Sequence, residues 1–347
     1  MTSSARALQD SPASFNYSVF KVVAILTVVA SHWFADLPLW IPTVVGLFIF
    51  TFSSALFTTR IYGSKLDVRS FWQKKLQRLL VRYWFLLVCL SVLLLAQDKV
   101  VFHWHSLVHV FGLSGFLNVF GHNESALGAG LWFFTVLLLF YATYPYLVRA
   151  CVANGNDFFL PLVATAFFMF MDKNVNLGFS LWLTTLGFIL GVFVGLYDTR
   201  VAPRLALALG AGSLVLILAL NLVLGYKGAN NALLALSCIS TNLWLMKARL
   251  PHWAPLRMLA KLEGCLLEIF IIHMYLFVHP TGQHLLDFVL SLVLIVATAW
   301  VLGQAGSKVV ALVFPAATAR PARRASGFGM HDPLAQDRDH FDATPRF

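Results

Sequence analysis

The sequence predicts an all-α, polytopic membrane protein of about ten transmembrane helices with both termini in the cytoplasm. Three observations predict it. Of 347 residues 59% are hydrophobic and 12% charged, with a mean hydropathy of +0.77, too little charge to cover the surface of a soluble chain. Apolar stretches near the roughly 20 residues that cross a bilayer recur from Val22 to Phe314. With the N-terminus inside, only Lys99, Lys173 and Lys227 of the 25 lysines and arginines fall outside, as the positive-inside rule requires. The formal charge of +10 thus follows topology, and implies lipid contact rather than nucleic acid. The short alternating segments of an outer-membrane barrel are absent.

The elements follow in order. Residues 1–18 are a polar cytoplasmic lead whose Asp10 and Pro12 argue against a cleaved signal peptide. Spans are expected near 19–35, 40–58 and 78–96, the third entered through the basic run RIYGSKLDVRSFWQKKLQRLLVRYW. Residues 97–129 read as an extracytoplasmic loop with an interfacial or re-entrant helix. Counting 100–120 as a span would invert the charge bias downstream. Further spans are expected near 130–149, 158–171, 179–196, 203–224, 230–246, 264–279 and 286–303. The membrane domain therefore runs over 19–315, and the Pro- and Gly-punctuated residues 316–347 read as a disordered cytoplasmic tail. Cys89, Cys151, Cys238 and Cys265 lie in or beside apolar segments and suit neither a disulfide framework nor a zinc site.

Against this apolar background the titratable residues stand out. Lys21 and His32 lie eleven positions apart in the first span, about three helical turns, so they share one face about 16 Å apart. An ionisable group inside a membrane is by default a functional hypothesis. The imidazole can act as a general base or as a transient acyl carrier. Asp36 could orient its ring if the helix continues that far. Lys75, Arg78 and Arg82 share another face, where like charges repel unless an anion or acidic partner sits among them. They read either as a snorkelling positive-inside flank or as a site for a phosphorylated ligand.

Other candidates are less sharp. His103, His105 and His109 lack a clear carboxylate partner, so no metal is assigned to them. Glu124, with His122 and Asn123, reads as a sugar-hydroxyl binder or an ordinary polar loop. Trp104 and Trp132 read equally as interfacial belt residues or as sugar-stacking platforms. Glu268 and His273 fall on different faces of the ninth span, and His273 is a candidate to line the cavity of His32. Glu263 is expected to pair with Lys261.

Five stretches in order resemble the acyltransferase 3 family of membrane acyltransferases over about residues 17–280. Lys21-x10-His32 is similar to the family's basic-x10-His motif. FWQKKLQRLLVRYW resembles its basic-x-x-Arg loop, with Lys75 and Arg78 at the matching positions. GLFIFTFSSALF, LWFFTVLLLFYATYPYL and LEIFIIHMYLF resemble its second, fourth and late spans. The chain departs from the pattern with Lys at 21 and 75 where Arg is commoner, Ser54 where Gly is usual, and Val81 where Pro is usual.

The resemblance implies transfer of an acyl group, often acetyl, from cytoplasmic acyl-CoA to a sugar hydroxyl displayed outside. It implies a bacterial inner-membrane protein acting on an exopolysaccharide, a surface glycan or its lipid-linked repeat unit. In that scheme Lys21, Lys75, Arg78 and Arg82 hold the CoA phosphates, and a pantetheine arm reaches along the first helix to His32. Trp132, Glu124 and His273 face the acceptor. Acetyl-CoA is a co-substrate, and no tightly bound cofactor or metal is implied. The competing reading is a glycolipid or polysaccharide flippase without acyl chemistry. The scarcity of acidic residues inside spans and the lack of a visible inverted repeat weigh against it.

Overall fold

The computed structural model describes residues 11–37, 39–63, 66–103, 105–121, 125–128, 130–155, 158–175, 181–197, 199 and 201–315. They form helices α1 (Pro12–Trp33), α2 (Trp40–Tyr62), α3 (Val68–Leu95), α4 (Ser106–Val110), α5 (Ser114–Val119), α6 (Trp132–Asn154) and α7 (Phe159–Asn174). The second half holds α8 (Leu181–Leu196), α9 (Pro203–Val223), α10 (Asn230–Lys247), α11 (Ala254–Lys261), α12 (Leu266–Ile272) and α13 (His284–Val313). There is no strand among the described residues. The protein is an all-α, multi-pass membrane protein.

Each of the ten expected spans coincides with a helix or a helical segment. Six helices, α1, α2, α3, α6, α9 and α13, are long and apolar enough to cross a membrane, and α8 is a shorter apolar helix. α7 has 16 residues, about 24 Å at 1.5 Å per residue. α10 is diluted by Asn230, Asn231, Ser237, Ser240 and Asn242. The segment expected as one span over 264–279 is broken into a 3-10 turn (Leu262–Cys265), α12 and a second 3-10 turn (His273–Tyr275). Non-helical backbone at membrane depth is tolerated only where protein or a cavity surrounds it. Residues 1–10 and the expected tail, 316–347, lie outside the described residues.

α1 begins at Pro12, well before the expected Val19. Ser11 caps it by accepting a hydrogen bond from the Ser14 N–H, and Pro12 suits the first turn. Asn16 and Tyr17, read as part of the polar lead, are buried: Asn16 donates to the carbonyls of Leu245 and Ala248, both at 2.8 Å, and the Tyr17 hydroxyl donates to that of Asn242 at 2.9 Å. These polar side chains anchor α1 to the end of α10.

α2 is the central strut, packed on α1 and, more extensively, on α8. The α8 contact is a small-residue seam of the kind that lets membrane helices approach closely. A methyl group on Gly191 would lie 2.3 Å from the Phe52 carbonyl oxygen, and one on Gly195 2.7 Å from Thr59 Cβ. The same faces bury Phe48, Phe52 and Leu56.

Among the described residues, no membrane-length helix forms between α3 and α6. That stretch carries α4 and α5; α5 packs against α6, and α4 against α5. Thr135 Oγ1 accepts from the Gly115 N–H and donates to the Gly112 carbonyl, both at 2.8 Å. Tyr83 stacks on Phe134 with centroids 3.9 Å apart and donates to the His109 carbonyl.

Candidate functional site

α1, α2, α3, α6 and the segment from Glu263 to Phe270 line an open cavity of about 580 Å³. Lys21, Ser14 and Glu263 line it toward the start of α1, with Lys75 and Thr58 beside them. Phe50, Phe133 and Phe270 line its inner part. The cavity is thus polar and charged at one end and aromatic at the other.

Its charges come from helices whose apolar faces fix their direction. Lys21 forms an ion pair with Glu263, whose second oxygen accepts from the Ser18 hydroxyl. The expected Glu263–Lys261 pair is thereby replaced. The sequence contains both partners, but 242 positions separate them, so no local pattern marks the pair. Lys75 has no carboxylate partner among the described residues. It donates to Thr58 Oγ1 at 3.3 Å and lies 5.1 Å from the Tyr141 ring centroid. Tyr141 is held in turn: its hydroxyl is 3.1 Å from Ser54 Oγ, and its carbonyl accepts from Trp72 Nε1 at 3.0 Å. Ser54, which departs from the glycine usual in the resembled pattern, therefore helps set the wall that carries Lys75.

The shared face of Lys75, Arg78 and Arg82 is divided. Lys75 enters the cavity, and Arg78 is exposed. Arg82 points the other way, donating from Nε at 2.9 Å and Nη2 at 2.6 Å to Glu268 Oε1, and from Nη2 to the Gly264 carbonyl at 2.8 Å. The acidic partner that the spacing demanded is Glu268, which neutralises Arg82. Expected as a cation for a phosphorylated ligand, Arg82 is corrected to a buried-pair residue.

At the far end of α1, the His32 and His273 rings lie 5.2 Å apart, tilted by 40°. His32 is exposed, whereas His273 is 1% exposed. His273 Nδ1–H donates to the Phe270 carbonyl at 2.8 Å and to that of Ile269 at 3.2 Å. A carbonyl only accepts, so in the neutral ring the proton sits on Nδ1 and Nε2 carries the lone pair. Trp33 beside them is covered by Phe277 and His279, with centroids at 5.2 and 4.6 Å.

Asp36 does not orient His32. α1 ends at Trp33, so the condition of a continuing helix fails, and Asp36 stands exposed in the turn beyond. Trp132 is 8% exposed, with Phe133 and Phe270 at 5.7 and 6.2 Å. It is a packing residue behind the aromatic wall, not an open platform. Glu124, with His122, Asn123 and Trp104, lies outside the described residues.

His103, His105 and His109 lie together, with His103 Nδ1 3.1 Å from His105 Nδ1 and the His105 and His109 rings 5.8 Å apart. No group of three or more side chains able to hold a metal occurs among the described residues. Burial, and then the neighbouring His105, lower the His109 pKa to about 4. His109 Nδ1 is 2.8 Å from the Ser114 hydroxyl, which makes it a structural element of the α4–α5 cap.

Sequence reasoning did not single out Tyr141, Phe133 or Phe270. Each read as one aromatic among many in an apolar run, and only the packing of α6 against α12 reveals their common wall. A family model described as an acyltransferase domain matches residues 16–304. No curated protein and no solved structure matches the chain.

Proposed function

The chain belongs to the acyltransferase 3 family and is a membrane acyltransferase, and we propose that it carries an acetyl group from cytoplasmic acetyl-CoA to a hydroxyl of a bacterial exopolysaccharide, a surface glycan or its lipid-linked repeat unit. The observation that carries this reading is the cavity beside α1, charged by Lys75 and by the Lys21–Glu263 pair at one end and closed by Phe133 and Phe270 at the other. Phe270 is the link to the histidines, its ring 5.9 Å from that of His273.

In this reading the start of α1 faces the cytoplasm of a bacterial inner membrane. Lys75 and Arg78 meet the anionic CoA head, with Lys21 available when a phosphate competes with Glu263. The narrow pantetheine arm occupies the cavity, whose apolar lining suits its methylenes and whose hydroxyls suit its amides. The thioester meets the aromatic wall, and on its far side His32 receives the acceptor. Fixed hydrogen-bond donors favour charge development at a thioester carbonyl.

His32 acts as general base. It takes the proton of the acceptor hydroxyl as that oxygen bonds to the acyl carbon, the carbon–sulfur bond breaks, and the proton passes to the departing thiolate. His273, beside it, stands on the acceptor side. The test is mass analysis of the surface polysaccharide from cells with and without the protein. A polymer made in normal amount but lacking acetyl esters is the expected result. Loss of the polymer itself would favour the flippase reading.

A further inference from the structure

His273 is almost wholly enclosed, its Nδ1 proton committed to backbone carbonyls of its own turn. Its Nε2 is buried and has no hydrogen-bond partner among the described residues. A buried lone pair without a partner is costly and persists where function requires it. The segment breaks from α-helix to 3-10 turn at this residue. That break brings the ring against His32, the titratable group it faces across the helix interface. Phe270 and Phe277, its other ring neighbours, carry no charge, and His279 lies beyond Trp33.

We propose that His273 is the positioning partner of His32 and stores its second proton during acyl transfer. This rests on the acyl-transfer reading above. In the step, the two rings, whose centroids lie 5.2 Å apart at rest, close into hydrogen-bond contact; one nitrogen of His32 takes the proton of the acceptor hydroxyl while the proton on its other nitrogen moves to His273 Nε2. The acceptor oxygen bonds to the acyl carbon, the carbon–sulfur bond breaks, and the thiolate leaves. His273 then returns its proton to His32, which passes one on to the thiolate. The products are the ester and CoA thiol, and both imidazoles end neutral. Because the Nδ1 proton is held by carbonyls, Nε2 is already in its accepting form and no ring flip is needed.

Two substitutions separate this role from packing. His273→Asn can keep the donation to the Phe270 carbonyl but has no group at the Nε2 position. His273→Gln keeps an amide near that position but cannot store a proton. Full-length protein is assayed in native membranes with acetyl-CoA as donor, reading CoA thiol release and label in the glycan fraction, at matched membrane levels. The expected result for both variants is a kcat fall of roughly 100-fold, the scale of a lost acid–base contribution, with KM for acetyl-CoA unchanged. The pH profile of kcat moves as well, since one member of a coupled pair is gone.

Wild-type kcat in either variant, or a fall with an unchanged pH profile, overturns the proposal. His32→Ala distinguishes the two failures. If it stays active, the acyl-transfer reading through His32 fails. If it is inactive while His273→Gln matches wild type, only the role of His273 fails.

Discussion

Arg82 and Glu268 form a pair in which two guanidinium nitrogens, Nε at 2.9 Å and Nη2 at 2.6 Å, reach one oxygen of a carboxylate that is wholly buried. Arg82 is partly exposed and also holds the Gly264 carbonyl, so it ties α3 to the 3-10 turn ahead of α12. Breaking a buried pair from one side leaves an uncompensated charge and costs about 3–5 kcal/mol, whereas an apolar replacement of both is far milder. Arg82→Met alone is therefore expected to lower thermal stability in detergent sharply, and Arg82→Met with Glu268→Leu to recover most of it. If the double variant is as unstable as the single, the pair is not what holds these segments.

Lys75 presents to the cavity a charge that has no carboxylate partner among the described residues. A hydrogen bond to a charged group contributes roughly 1.5–3 kcal/mol, which is about tenfold or more in affinity. Lys75→Gln is expected to raise KM for acetyl-CoA on that scale with little change in kcat. Initial rates across donor concentration, at equal membrane levels, decide it.

Phe133 and Phe270 pack with ring centroids 4.9 Å apart, tilted by 39°, at the inner wall. Their bulk sets how much room remains beyond the thioester. Phe270→Ala is expected to raise turnover of butyryl-CoA relative to acetyl-CoA, measured as thiol release with each donor. An unchanged ratio would remove this wall from acyl selection.

Gly191 sits where a methyl group would lie 2.3 Å from the Phe52 carbonyl oxygen, a rigid backbone neighbour. Gly191→Ala is expected to separate α2 from α8 and to cost about 1–3 kcal/mol, as overpacking does. The loss is read as a lower unfolding midpoint in detergent. Gly212, which faces open space, is the control, and Gly212→Ala is expected to leave the midpoint unchanged.

The membrane helices were legible because apolar runs of bilayer length are a strong and local signal. The start of α1 was not. Asn16 and Ser18 look like solvent-facing residues in sequence, and only the carbonyls at the end of α10 and Glu263 explain their burial. The shared face of Lys21 and His32 was legible from spacing alone. Their surroundings were not, since Glu263 and His273 come from a segment more than 200 positions away. The stripe of Lys75, Arg78 and Arg82 signalled a missing acidic partner, yet spacing could not say that Glu268 would satisfy Arg82 and leave Lys75 to the cavity. Asp36 failed for a local reason: α1 ends at Trp33, which takes the carboxylate off the helical face of His32.

His32 is the centre of the account, and its substitution is the most direct test. Acetyl content of the surface polysaccharide is measured by mass analysis in cells carrying wild-type protein or His32→Ala at matched membrane levels. The expected result is a polymer of normal amount and length without its acetyl esters. Normal acetylation in the His32→Ala cells would contradict the mechanism.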